Sequence, residues 1–300
     1  MTGFERSPSA HPPAREIEVT SNGVTLSGLL AEPADGTEPL ALVVALHGAG
    51  MHAGYYHAGA APGLSLLELG SELGYNVWAP DRPGHGASAD LPNESVGLFD
   101  QARILHDAIE AFVADHPVGA GVFLMGHSYG LKVAFTMAAE RRGHSLLGLD
   151  GAGSGIRYAF TFPQPGVERI ALETQPGDRG ASWGPSTSYP KGTFSRKVLP
   201  LHSVPAIQAE EGARWPDDLR AMADRIDIPI RLTFGEHDRL WMTDEAHFAE
   251  LRSLLGHVPR LVIDSEPDAG HNISLGWAAR PYHLKALAFA DDCILSRRLA

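Results

Sequence analysis

The chain predicts an α/β fold: a mostly parallel central sheet covered by helices on both faces, with a lid inserted in its second half. Three observations carry this expectation. Apolar runs of strand length recur at 40–46, 75–79, 121–125, 146–149, 229–234 and 260–263. The continuous run at 40–46 lacks the polar alternation of a half-wetted strand, which is the pattern of a strand buried on both faces. Longer helical stretches separate most of the runs, and strand–helix alternation implies right-handed crossovers between parallel strands.

Residues 15–33 read as two strands joined at Ser21-Asn22-Gly23, and Asn-Gly is a hairpin signal. This opening hairpin makes the sheet mixed at one edge. Residues 40–46 (LALVVAL) form the next strand, ending at His47-Gly48, and 63–73 a helix. The strand at 75–79 runs into the polar loop Asp81-Arg82-Pro83-Gly84-His85-Gly86-Ala87-Ser88. Residues 99–116 form an amphipathic helix with Ile104, Ala108, Ile109 and Phe112 at helical spacing. Then come a strand at 121–125, a sharp turn and a helix at 131–140. The strand at 146–149 ends at Asp150-Gly151, and the strand at 229–234 ends at Gly235-Glu236-His237-Asp238. A helix at 244–255, a strand at 260–263 and a helix at 281–295 complete the order.

The alternation stops between 155 and 227. That stretch holds Tyr158, Phe160, Phe162, Trp183, Tyr189, Phe194 and Trp215 among scattered prolines and glycines. A structureless loop of that length is uncommon in a compact domain, so it reads as a lid. The expected organisation is a flexible leader at 1–14, a core from 15–154 and 228–300, and the lid at 155–227.

A chain of 300 residues with 44% hydrophobic and 20% charged residues buries one large core. Its net charge of −12 argues against nucleic acid, which needs a basic footprint, and against an anionic membrane surface. No run approaches the roughly 18 apolar residues of a membrane span. The N-terminal residues lack the apolar stretch of a signal peptide. The single cysteine, Cys293, allows no intrachain disulfide, so a cytoplasmic protein is expected.

The chemistry centres on Gly126-His127-Ser128-Tyr129-Gly130. A serine on a tight turn between a buried strand and a helix has its hydroxyl held out of the sheet, and the flanking glycines allow close backbone contact. A serine hydroxyl is a poor nucleophile unless a base lies within hydrogen-bond reach and a carboxylate orients that base. Asp238 and His271 each follow a strand, and strand carboxyl ends are where sites assemble in open α/β sheets. Asp150 also ends a strand and is a second candidate for the acid, while Asp264 and Asp268 read as loop or capping residues. His47, His52 and His57 recur without helical spacing or an accompanying carboxylate, so no metal is expected. The Gly48-Ala49-Gly50 and Gly151-Ala152-Gly153 runs lack the partners of a phosphate loop, so no cofactor is expected.

Together, HGAG at 47–50, DRPGHGAS at 81–88, GHSYG at 126–130, FGEHD at 234–238 and AGH at 269–271 resemble the α/β-hydrolase superfamily over nearly the whole chain. The resemblance implies Ser128 as nucleophile, His271 as general base and acid, and Asp238 as its orienting carboxylate. It further implies an oxyanion hole from the backbone N–H groups of Tyr129 and Ala49. Tyr55 and Tyr56, in the stretch after the HGAG loop, and Trp183 from the lid are expected to contact substrate. The implied activity is hydrolysis of a small-molecule ester or thioester through an acyl-enzyme. Acyl transfer, C–C bond hydrolysis and perhydrolysis use the same triad and stay open. So does a ligand-binding or cyclase-type role on the scaffold. An epoxide hydrolase or dehalogenase is disfavoured, because those need a carboxylate where Ser128 stands.

Overall fold

The computed structural model describes residues 13–34, 37–140, 142, 145–160, 180–195, 198 and 202–299. The expected leader at 1–14 lies almost wholly outside these residues, as do Phe162 and the stretch 161–179 of the expected lid.

The sheet opens with β1 (Arg15–Ser21) and β2 (Val24–Ala31), paired antiparallel. Their turn places Asn22 at φ +48° and Gly23 at φ +79°, the two left-handed positions of a tight hairpin. β3 (Leu42–Leu46), α1 (Leu66–Glu72), β4 (Asn76–Pro80) and α2 (Leu98–Asp115) follow. Next come β5 (Val122–His127), α3 (Tyr129–Glu140) and β6 (Leu146–Ala152). Then α4 (Ala206–Met222), β7 (Ile230–Gly235), α5 (Glu245–Leu255), β8 (Leu261–Glu266) and α6 (Ala279–Leu299) close the chain.

The eight strands order as β1-β2-β4-β3-β5-β6-β7-β8. β2 also pairs antiparallel with β4, and all pairs from β4 to β8 are parallel. The predicted mixed sheet is therefore observed. The apolar strands separate two cores by alternation: in β3, Leu42, Val44 and Leu46 join the cluster under α2, α3, α4 and α5, while Val43 and Ala45 join the one under α1 and α6. Every residue of β3, β4 and β5 is buried, as unbroken apolar strands require.

Helix ends moved from their expected places for local reasons. α1 starts at Leu66 because the Ser65 side chain accepts from Glu68 N at 3.1 Å and caps it. α6 begins at Ala279, before Pro281, since proline is tolerated in a first turn where its missing N–H has no partner to lose.

The larger difference is α4, which sequence periodicity does not reveal. Its buried face is Gln208, Glu211, Gly212, Trp215, Leu219 and Met222, at helical spacing but half polar or bare at its N-terminal end. Pro216 lies inside it. The helix packs against α3, with the fully buried Trp215 tilted over Phe135 and donating from Nε1 to Gly155 O at 3.0 Å. Among the described residues no helix is long and apolar enough to cross a membrane.

Candidate active site

The carboxyl ends of β3, β5, β6, β7 and β8 share one edge of the sheet. In register, Leu46 pairs Gly126, Gly126 pairs Gly151, and Ala152 pairs Thr233. Segments distant in sequence therefore reach one place.

Ser128 sits between β5 and α3 at φ +52°, in the left-handed region. A non-glycine residue there costs on the order of 1–3 kcal/mol and is held only when its surroundings over-determine it. They do so here. A Cβ at Gly126 would lie 2.4 Å from Leu131 Cα, and one at Gly130 would lie 2.1 Å from Leu46 O. The backbones approach too closely for any side chain. Ser128 N donates to Ala152 O at 2.8 Å, tying the turn to β6, and Ser128 O accepts from Leu131 N at 3.1 Å to start α3. The helix N-terminus, with its partial positive charge, thus begins beside the hydroxyl.

His271 follows β8. Its Nδ1 donates to Asp238 Oδ2 at 2.7 Å, and the Asp238 side chain is wholly buried. The other carboxylate oxygen accepts from Leu240 N at 2.9 Å, so Asp238 has no freedom to turn away. With Nδ1 carrying the proton, Nε2 is left as the basic atom. Two further contacts fix the imidazole. His127 Nε2 donates to His271 O at 3.0 Å, and a Cβ at Gly153 would sit 2.8 Å from His271 Cε1, so the ring lies directly on the end of β6. Burial, with His271 next to it, holds the His127 pKa well below the usual imidazole value. His127 is therefore neutral and serves as a strut.

Asp150 is excluded as the orienting acid by its partners. It binds Arg231 Nη1 at 2.6 Å and accepts from Tyr282 Oη at 2.7 Å, on the α6 side of the sheet. Asp264 also binds Arg231, at 3.0 Å.

Ser128, His271, Ala49 and Tyr129 line one cavity of about 260 Å³. Its walls are largely apolar, with Tyr158, Phe160, Val204, Leu240 and Trp241 among them. The loop carrying Ala49 is braced by Arg82, which is fully buried. Arg82 donates from Nε to His47 O at 2.7 Å, from Nη2 to Gly48 O at 3.2 Å and from Nη1 to Gln101 Oε1 at 2.5 Å. Its guanidinium also stacks 4.8 Å from the Tyr129 ring centroid. One buried cation thus braces the loop that carries Ala49 and packs on the Tyr129 side chain. The three histidines of the early loops are occupied separately: His47 Nε2 accepts from Arg82 N, His52 accepts from Gly54 N, and His57 pairs with Ser65 Oγ.

Three expected substrate contacts are corrected by the structure. Tyr55 and Tyr56 are each 1% exposed and belong to the core on the α1/α6 side. Tyr55 stacks on His127 at 4.4 Å, and Tyr56 donates to Leu46 O at 3.2 Å. They support the floor from behind instead of lining the cavity. Trp183 packs edge-on with Tyr189 and Phe194, and it too is absent from the lining. In each case packing against another ring wins over facing the cavity.

Among the lining residues that sequence reasoning missed, two carry polar groups of interest, Lys132 and Gln208. Lys132 had a visible signal, being the one charged residue between Leu131 and Ala139 in an otherwise apolar helix. Gln208 had none, because α4 itself was not legible.

The profile of the alpha/beta hydrolase family matches residues 43–283. Human monoglyceride lipase is 38% identical over 109 residues, covering 35% of this chain and 32% of that protein. The monoglyceride lipase homolog of monkeypox virus is 35% identical over 107 residues, 35% of each chain. The chain therefore spans about a third of the length of these curated relatives. Among solved structures, a thermostable carboxyl esterase from Bacillus coagulans in complex with glycerol superposes at TM-score 0.64 with 19% identity, over 94% of this chain and 99% of that one. The epoxide hydrolase CorEH superposes at TM-score 0.61 with 17% identity, over 92% and 99%. At such identities the structures speak for the fold alone.

Proposed function

Since the chain belongs to the alpha/beta hydrolase family, we propose that it is a serine hydrolase cleaving a carboxylic ester or thioester through an acyl-enzyme. One observation carries this reading: Ser128 and His271 line the same cavity while Asp238 holds the far nitrogen of His271 at 2.7 Å. The partial match to monoglyceride lipases supports an ester as substrate.

In this mechanism Ser128 Oγ attacks the acyl carbonyl carbon as His271 Nε2 takes its proton. The carbonyl oxygen becomes an oxyanion facing the N–H groups of Ala49 and Tyr129. Neither group donates a hydrogen bond elsewhere among the described residues. Such donors are each worth about 3 kcal/mol of transition-state stabilisation. Collapse of the intermediate breaks the bond to the alcohol or thiol, which leaves with the proton from His271. Water then gives a proton to His271 and attacks the acyl carbon, and a second collapse returns that proton to Ser128 and frees the acid. Asp238 stabilises the imidazolium in both halves without itself taking the proton.

The walls formed by Phe160, Val204, Leu240 and Trp241 favour an apolar portion on the substrate. Residues 155–227, through Tyr158, Phe160, Val204 and the first turns of α4, act in this reading as the lid that excludes water. A single buried cysteine agrees with a cytoplasmic setting.

The test is fluorophosphonate labelling of Ser128, run beside a p-nitrophenyl ester chain-length series. Wild type is expected to label and turn over. Ser128→Ala is expected to lose label and about 10⁴-fold or more of kcat. Turnover that survives Ser128→Ala overturns the reading. Adding alcohol acceptors and peroxide to the panel separates hydrolysis from acyl transfer and perhydrolysis.

A further inference from the structure

The cavity holds a cation that this reaction does not use. Lys132 lies one turn after Ser128 in α3, a helix buried from Tyr129 to Ala139, and four residues of helix rise only about 6 Å. The residue is 6% exposed. Its ammonium stands 5.7–6.0 Å from the ring centroids of Tyr129, Tyr158, Trp215 and Trp241. One of its three protons is assigned, since Nζ donates to Tyr158 Oη at 3.0 Å. That hydroxyl is preset as an acceptor, because its own proton goes to Gly212 O at 2.5 Å. Gly212 O is available because Pro216, four residues on in α4, has no N–H to bond it.

The carboxylate of Glu211, on the same helix, does not neutralise the ammonium by direct contact. Its Oε1 accepts from Leu98 N at 2.9 Å and its Oε2 accepts from Tyr129 Oη. Burial pulls the Lys132 pKa down to about 7 against the opposing fields of Glu211 and Asp218. A second donor lines the cavity. Gln208 is 2% exposed, and its Nε2 has no hydrogen-bond partner among the described residues. Its Oε1 accepts from Arg82 Nη2 at 3.4 Å, which leaves the amide nitrogen as the unsatisfied end. Buried donors without acceptors are costly, and a charged acceptor relieves that cost most. A carboxylate, with two oxygens, matches one ammonium and one amide.

We propose that Lys132 and Gln208 form a carboxylate-binding subsite, so that the substrate is an ester bearing a carboxylate close to its scissile bond. The inference rests on the ester-hydrolase reading above and narrows it to an anionic substrate class. The aromatic walls then hold the apolar spacer, and the Lys132–Tyr158–Gly212 chain fixes the ammonium at one distance from Ser128.

Two pairs of isosteric esters test it. On the acyl side, p-nitrophenyl hydrogen glutarate is compared with p-nitrophenyl 5-methylhexanoate; on the alcohol side, carboxymethyl butyrate is compared with isobutyl butyrate. Wild type is expected to favour the carboxylate member of one pair by about 10- to 100-fold in kcat/KM, and that pair identifies the side. Lys132→Met is expected to reduce this ratio at least tenfold, and Gln208→Leu by about threefold to tenfold. Fluorophosphonate labelling of Ser128 in both variants reports that the site is intact. No preference in either pair, or a preference that survives Lys132→Met, overturns the subsite. Equal loss on both members also overturns it and leaves Lys132 a packing residue. Failure of the hydrolase reading is distinguishable, because glutarate binding to wild type and Lys132→Met is measured calorimetrically without turnover. Saturable binding removed by Lys132→Met supports the subsite even if no ester is cleaved, and its absence in wild type overturns it.

Discussion

The floor and the roof of the cavity are held by different forces. On the floor, backbone excludes alternatives: Gly126 and Gly130 leave no room for a Cβ, Ser128 is held at φ +52°, and the His271 ring rests on Gly153. In the roof, polar side chains hold the arrangement. Tyr158 takes the carbonyl that Pro216 leaves open, Glu211 takes the Tyr129 hydroxyl and Leu98 N, and Lys132 stands among four rings. Steric exclusion fixes geometry whatever the solvent. A polar network depends on charge state and on what occupies the cavity. Chemistry thus belongs to the part that cannot move, and selectivity to the part whose groups are still short of partners.

Asp238→Asn breaks the polar link that sets the His271 tautomer, and its expected effect is large. The amide presents a donor or a neutral acceptor to His271 Nδ1, the favoured tautomer is lost, and kcat falls by about 10³- to 10⁴-fold with little change in thermal stability. Steady-state kinetics on the best ester of the series, with a melting curve, measures both. A small rate loss would mean that Asp238 merely positions the loop.

The same substitution is expected to have opposite signs in the two regions. Gly130→Ala forces a methyl against Leu46 O, where the ideal Cβ lies 2.1 Å away, and is expected to cost about 3 kcal/mol or more. At Gly212→Ala the only near atom is Lys132 Nζ at 3.8 Å, so a helix-interior glycine is replaced without strain. A gain of about 0.5–1 kcal/mol follows from the helical preference of alanine. Equilibrium denaturation of both variants checks the pair, and equal destabilisation would sink the distinction.

A further expected effect concerns pH. The Lys132 pKa is lowered by burial from 10.5 to about 7 in the folded chain. Between these values the unfolded chain binds the extra proton, so stability rises with pH across that window. Below pH 7 both states are charged and the desolvation penalty is complete. Lys132→Met is therefore expected to be stabilising relative to wild type below pH 7. The advantage shrinks by about 1 kcal/mol per pH unit at its steepest and is gone above the unfolded pKa. Melting at pH 6, 8 and 10 reads this, and an advantage constant across the series would show that Lys132 is not titrating.

Legibility in sequence followed the same division. Strands such as 40–46 stood out because burial on both faces favours unbroken apolar runs, and Ser128, Asp238 and His271 stood out because each lies in the turn or loop that follows a strand. α4 did not, because its buried face carries Gln208, Glu211 and Gly212 where periodicity needs apolar residues, and Pro216 reads as a breaker. That proline is tolerated only because Tyr158, far away in sequence, satisfies the orphaned carbonyl. The aromatic residues gave the wrong lining for a related reason. Their composition marks burial but not direction, so Tyr55, Tyr56 and Trp183 pack against other rings, while Tyr158, Phe160 and Trp241 face the cavity.

The mostly parallel sheet and the tight serine turn were legible in the chain, because each follows from local sterics and burial period, while the order Ser128, Asp238, His271 came from the resemblance to the α/β-hydrolase superfamily. The folded arrangement settles that Asp238 and not Asp150 meets His271, that the carbonyls Arg82 ties are those of His47 and Gly48, and that Gln208 of α4 shares a cavity with Lys132 of α3. Those are contacts between segments separated by tens of residues or more, or between opposite walls of one cavity. Their formation depends on which helix covers which strand end, a choice that hydrophobic periodicity does not encode.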